Sequence, residues 1–390
     1  MASITFTTRD VSRSLNSTQE LAAVPWYCWL AALSVTSAVV GVEWDISWHR
    51  SIGRDSFLTP AHIAIYLCGI LAGIFCSYLI LATTFQRTNL DRSSVTMWGF
   101  RGPLGAFLAS WGGVLMLTSA PFDDWWHSAY GLDVKVLSPP HVMLAIGILT
   151  VAAGSLVLLA GRKNRAPGTL VDFLFLYVGA LMMTALLVVS MDYLYVTMQH
   201  SGLFYRVLSM VAPAMLAAMA LGSGRRWAAT TVAALYSLLQ LGLIWVLPLF
   251  SATPKLGPVF NQVTHFVPPE FPLLLVIPAA LLDTFWWHTR NWNLWKRAAV
   301  SGLLFVATAL VVQWPWAIFL ESPMARNAFF GMDYLDYLTP PTTYYARHLF
   351  TPIEMTSSAF WTEMGMAVAA AILTSRIGLS LGLWLRQVRR

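Results

Sequence analysis

Residues 57–84 read FLTPAHIAIYLCGILAGIFCSYLILATT and contain no Asp, Glu, Lys or Arg. A run this long and this apolar matches the hydrocarbon thickness of a bilayer, about 20 helical residues, and few soluble helices need one. Such runs recur to the C-terminus. We place spans at 25–47, 57–84, 101–121, 138–161, 169–191, 205–222, 227–250, 270–289, 298–320 and 358–385. The whole chain agrees: 57% of its residues are apolar, 11% are charged, and mean hydropathy is +0.63. The expected fold is therefore all-α, a polytopic transmembrane bundle of about ten spans.

A net charge of +6 would suggest a polyanion partner in a soluble protein. Here the basic residues sit in short clusters between apolar runs, at Arg87/Arg92, Arg162/Lys163/Arg165, Arg225/Arg226, Arg290/Lys296/Arg297 and Arg386/Arg389/Arg390. This alternation is the positive-inside signal. It puts both termini and the polar segment 1–24 in the cytoplasm, with the longest outer loop at 321–357, and argues against nucleic acid as a partner. The first apolar run lacks a cleavage signature, so the first span is expected to direct insertion itself. Cys28, Cys68 and Cys76 lie in apolar stretches without CxxC spacing and read as small packing residues.

Chemistry enters just upstream of the opening run. Residues 44–62, WDISWHRSIGRDSFLTPAH, and 122–141, FDDWWHSAYGLDVKVLSPPH, share one pattern. Each has an aromatic residue, Asp, three residues, His, then Gly four later, Asp two later, and a closing Pro-x-His. The candidate ligand sets are Asp45, His49, His62 and Asp123, His127, His141, spaced Asp-x3-His-x12-His and Asp-x3-His-x13-His. Four of the 8 histidines are used here. If each helix continues through its Asp and first His, those two share a face, and the second His opens the next span. Two imidazoles and a carboxylate suit Cu, Zn or non-haem Fe and leave coordination positions open.

Plainer readings compete with this one. A duplicated helical hairpin would also repeat Asp and Pro as helix-end residues, without any metal. Asp55 and Asp133 read either as groups supporting the ligands or as N-caps of the second and fourth spans. Trp44, Trp48, Trp125 and Trp126 read as an interfacial aromatic belt. Asp192, Asp283, Glu363 and Arg376 fall in or near spans, where pairing within the bundle is favoured over a proton path. His200, His265 and His288 share no spacing, and His348 with Asp333 and Asp336 falls in the outer loop. The loop GSGRRW, 222–227, lacks a phosphate-loop lysine and reads as a basic inner turn.

The stretch WDISWHRSIGRDSFLTPAHIAIY resembles the copper-site region in the C subunit of the particulate methane and ammonia monooxygenases, a family of membrane-bound copper enzymes. The resemblance implies copper ligation by Asp45, His49 and His62. The family's second site, Asn-x3-His-x13-His, falls on Asp123, His127 and His141, so Asp123 stands where the family has Asn. Residues 277–292, IPAALLDTFWWHTRNW, are similar to the A subunit of the same family, where an Asp-Thr helix ends in Thr-Arg-Asn-Trp. MDYLDYLTPPTTYYARH, 332–348, is more loosely similar to an A-subunit loop. Residues 25–165 thus look like a C-subunit unit, and 166–390, most clearly from about 205, like an A-subunit region. No stretch resembles the family's soluble cupredoxin-type B subunit, which would be a separate partner.

The resemblance implies a copper-dependent monooxygenase, or a membrane subunit of one, with one or two copper sites near the outer, periplasmic face of a bacterial inner membrane. It would insert oxygen from O2 into a small apolar substrate such as a short alkane, or into ammonia. Electrons would come from a quinol or an external carrier, since no haem, flavin or iron–sulfur motif is present, and homo- or hetero-oligomers are expected. The alternatives are a copper transport or assembly protein and a catalytically silent structural subunit. Transport favours soft Met and Cys ligands along a path through the membrane. The 16 methionines form no Met-x2-Met or Met-x3-Met arrays, and both triads fall at one face.

Overall fold

A computed structural model describes residues 24–53, 56–86, 93–131, 138–332, 354 and 356–389. The chain is an all-α polytopic bundle with nine helices long and apolar enough to cross a membrane among the described residues. In order the helices are α1 (Trp26–Ser51), α2 (Pro60–Phe85), α3 (Leu104–Tyr130), α4 (Pro139–Arg165), α5 (Thr169–Val189), α6 (Gly202–Ser223), α7 (Ala228–Val246), α8 (Val276–His288), α9 (Leu294–Glu321) and α10 (Ser357–Gln387). A two-stranded antiparallel hairpin, β1 (Val95–Met97) and β2 (Phe100–Gly102), precedes α3.

The expected eighth span is corrected. Residues 270–289 do not form one helix: α8 has 13 residues, about 20 Å at 1.5 Å per residue, too short for the ~30 Å hydrocarbon core. Before it the chain is extended, with Pro268, Pro269 and Pro272 in the stretch. Proline carries no N–H, so an extended segment rich in it leaves fewer donors to satisfy away from water. The N–H of Val267 donates to Ser51 Oγ at 2.7 Å and that of Leu273 to Tyr236 Oη at 3.2 Å.

Helices pack through small residues, because lipid and bundle interior are equally apolar and close contact is what distinguishes them. On α2 the large side chains Ile63, Leu67, Ile70, Ile74 and Leu81 are exposed, whereas Ala61, Cys68, Ala72 and Cys76 are buried. The three cysteines are free thiols inside the bundle, as packing residues would be. At the α1–α2 crossing a Cβ on Gly41 would lie 2.8 Å from Ile65 Cγ1, and at α3–α4 one on Gly112 would lie 2.6 Å from the Gly147 oxygen. Glycine is required at both positions for the backbones to meet. One apolar cluster runs from Tyr27 to Val388 through both halves of the chain.

Candidate metal centre

The local folding of each hairpin explains how its ligands come together. Hydropathy falls off near residues 47 and 121, but α1 continues to Ser51 and α3 to Tyr130. Asp45 with His49, and Asp123 with His127, therefore sit one helical turn apart on one face. The closing histidines are the third residues of their helices. Thr59 Oγ1 accepts the His62 N–H at 3.2 Å and Ser138 Oγ accepts the His141 N–H at 3.4 Å, each followed by proline at the first helical position. The repeated Pro-x-His is thus a helix start preceded by a hydroxyl cap. This corrects the N-cap reading of Asp55 and Asp133: Thr59 and Ser138 fill that role, and both aspartates lie outside the described residues.

In the first set, Asp45 Oδ2 lies 3.7 Å from His49 Nε2 and Oδ1 lies 3.4 Å from His62 Nε2. In the second, Asp123 Oδ2 lies 3.5 Å from His127 Nε2 and Oδ1 lies 3.3 Å from His141 Nε2. The side chains come from four different helices, yet the Asp-to-His distances of the two sets agree to within 0.2 Å. Among the described residues, Asp123, His127 and His141 form the group of metal-type donors that all lie within 4.8 Å of one another.

These separations exceed a normal hydrogen bond of about 2.7–3.2 Å. Two ligands about 2.05 Å from a tetrahedral first-row ion are about 3.3 Å apart, which is the spacing found here. Buried Oδ1 atoms of Asp45 and Asp123 have no hydrogen-bond partner, so each carboxylate has acceptor capacity facing the imidazoles. His62 Nδ1 lies 3.1 Å from the Ser56 carbonyl oxygen. A carbonyl can only accept, so Nδ1 carries the proton, and in the neutral ring Nε2 keeps its lone pair toward Asp45. The residues present fit a metal ion.

The other singled-out residues are engaged elsewhere. Asp283 accepts from the N–H of Ala229 and from the N–H and hydroxyl of Thr230, closing the start of α7. Glu363 pairs with Arg206 at 3.1 Å, Asp192 accepts from Tyr195 Oη, and Arg376 bonds the Ser380 hydroxyl. The Asp283 and Glu363 contacts join different helices, whereas that of Arg376 lies within α10 and that of Asp192 within an exposed turn. His200, His265 and His288 bond Trp314 O, Thr264 Oγ1 and Thr284 O respectively and do not converge. Asp333, Asp336 and His348 lie outside the described residues.

Of the four motif tryptophans, Trp125 is 54% exposed as a belt residue would be. Trp44 and Trp48 instead pack against a small cluster containing Leu243, Leu247 and Phe266, correcting the belt reading for these two. Two acids escape a reading of the sequence by motif: Glu43, two residues before Asp45, and Glu270, which lies in the stretch taken for a span. An acid inside the apolar run ahead of Asp45 and the Pro-Pro-Glu-Phe-Pro string were the available signals.

Comparison with family models, with curated proteins and with solved structures finds no match to this chain.

Proposed function

We propose that the two Asp/His sets hold metal ions, copper by the resemblance of their spacings, and that the chain is a copper-dependent membrane monooxygenase or a membrane subunit of one. The observation that supports this reading best is the convergence of Asp123, His127 and His141 within 4.8 Å, in a construction that Asp45, His49 and His62 repeat. Copper bound there would supply the one-electron and O2 chemistry that amino-acid side chains lack.

In this reading each of the chain's residues has a definite task. Asp45 and Asp123 bring a negative charge that offsets the cation in a low-dielectric setting, and the helix turn fixes each relative to His49 or His127. The hydroxyl caps Thr59 and Ser138 fix the starts of α2 and α4, and with them His62 and His141. The Ser56 carbonyl holds the His62 tautomer. Lipid-facing Ile and Leu side chains provide a route for a small apolar substrate to arrive from the bilayer. An external electron donor, a cupredoxin-type partner and placement at the outer face of a bacterial inner membrane belong to the same proposal.

Asp123 in place of Asn gives the second set a full negative charge, so in this reading it binds a divalent ion more tightly than its Asn counterpart would. Metal analysis of the purified protein in nanodiscs tests the assignment, with His49→Ala and His127→Ala beside the unaltered chain. About one copper per chain should be lost in each variant, together with O2-dependent oxidation of short alkanes or ammonia in at least one. Unchanged copper in both variants would overturn the two-site reading.

A further inference from the structure

The last two turns of α1 have a second working face. Asp45 and His49 face α2, whereas Glu43, Ile46 and Arg50 line a cavity of about 90 Å³ on another side of the helix. Its remaining walls come from the end of α5 and the short turns after it, from α7, and from the extended stretch 269–273 ahead of α8. Two wall segments are thus non-helical chain beside apolar spans. Irregular backbone at membrane depth is tolerated where it is buried in protein or lines a cavity, and interrupted helices often mark binding sites.

The lining is selective in its chemistry. Gln240 Nε2 donates to Glu43 Oε1 at 2.5 Å, with both residues buried. Glu270 Oε2 accepts the Val196 N–H at 2.5 Å. Tyr236 Oη accepts the Leu273 N–H and retains its own proton to give. The Arg50 guanidinium lies 5.6 Å from the Tyr195 ring centre and hydrogen-bonds that phenol, whose pKa burial raises. Most of the other wall is aliphatic.

Two carboxylates oppose an anionic guest, and a guanidinium in the same wall opposes a cationic one. What remains complementary is a neutral molecule with one hydroxyl to donate and accept, on a short apolar body. Size sets the second limit. A cavity of about 150 Å³ takes the six carbons of benzene, so this one takes about four heavy atoms.

We propose that this cavity is a binding site for a short-chain alcohol, recognised by Glu43, Gln240, Tyr236 and Glu270. Its meaning rests on the proposed function, because hydroxylating a short alkane yields such a molecule. The binding itself stands on the cavity alone and requires no metal.

The test uses 19F NMR on the full chain in nanodiscs after metal removal, with empty nanodiscs as the partition control. The probes are 2-fluoroethanol, fluoroethane, which lacks the hydroxyl, and 2-fluoroethylammonium, which is cationic. Saturable broadening is expected for 2-fluoroethanol alone, weakened at least tenfold in Gln240→Leu and Glu270→Gln. Tyr236→Phe, which keeps the ring and removes only the hydroxyl, should weaken it severalfold without loss of helical content. Equal binding in all variants, stronger binding of the ammonium or of fluoroethane, or no saturable binding would each overturn the proposal. Copper content measured on the same variants separates the two ideas: loss of alcohol binding with copper retained removes the cavity site and leaves the metal reading standing. Alcohol binding in a chain that takes up no copper does the reverse.

Discussion

The hairpins α1–α2 and α3–α4 carry the same ligand pattern, yet the rest of the chain treats them differently. On the first, the stretch before α8 is fastened to the face of α1 opposite Asp45 and His49: Ser47 Oγ donates to the Val267 oxygen at 2.6 Å, Ser51 Oγ accepts the Val267 N–H, and Trp48 packs on Phe266 with ring centres 5.7 Å apart. Beside the second, the aromatic residues face outward, with Trp125 54% and Tyr130 66% exposed. Local sequence therefore brings each Asp/His set together, and distant sequence decides what packs on the opposite face of the helix that carries it. Two triads alike in their carboxylate-to-imidazole distances are unequal in surroundings.

The largest effect should come from separating the helices of one hairpin only. Valine at Gly112 would force Cβ to within 2.6 Å of the Gly147 oxygen and the Val151 nitrogen, both backbone atoms that cannot move aside. Overpacking of this kind costs about 1–3 kcal/mol, and the helices must part to relieve it. Gly112→Val is expected to lose the metal of the second set and keep that of the first. Gly41→Val, which meets Ile65 at 2.8 Å, should do the opposite. Metal stoichiometry with a thermal melt reads both, and simultaneous loss of both metals in either variant would show that the hairpins are not independent units.

A smaller effect bears on the fastening of the first hairpin. Replacing Ser47 and Ser51 by alanine removes both side-chain bonds from α1 to Val267 and leaves a buried N–H without its acceptor, a cost of about 1–3 kcal/mol. The stretch before α8 should loosen while α1 stays helical, because alanine is the better helix former. Amide hydrogen exchange at residues 263–267 should then speed up severalfold by mass spectrometry, with residues 104–130 unchanged. Equal acceleration in both segments would mean the serines act on the whole bundle and not on the first hairpin.

The asymmetry also accounts for what could and could not be read from the sequence. Helix class and number follow from apolar runs, which need no knowledge of neighbours. The triads are legible as candidates because Asp and His are costly near the hydrocarbon and return here at a nearly fixed spacing. Helix ends were less so: the polar residues that make the motif lower hydropathy just where α1 and α3 continue, to Ser51 and Tyr130, so composition stops each helix early. The extended stretch before α8 was misread because its apolar side chains mimic a span, and only the prolines mark backbone that cannot be helical. Glu43 escaped notice because its partner, Gln240, is remote in sequence. The fastening of that stretch to α1 likewise depends on contacts between distant parts of the chain, Ser47 and Ser51 with Val267.

The finest distinction concerns the caps, where the two hairpins differ by one methyl group. Thr59 and Ser138 each accept the N–H of the histidine three residues on, so removing the hydroxyl frees one donor at the first turn of α2 or α4. Thr59→Ala and Ser138→Ala should each cost about 1 kcal/mol of helix-end stability. If that loosening reaches the ligand, it appears as roughly a fivefold weaker metal affinity, the same energy expressed as a binding constant. The effect should be larger at Ser138, because His62 keeps a second restraint through the Ser56 carbonyl. Competition with a chelator, one triad at a time in a His49→Ala or His127→Ala background, measures each affinity separately. Thr59→Ser should behave as the unaltered chain. A loss at Thr59→Ala equal to or greater than that at Ser138→Ala would show that the carbonyl contact does not hold the His62 ring, and the tautomer assigned to it would lose its support.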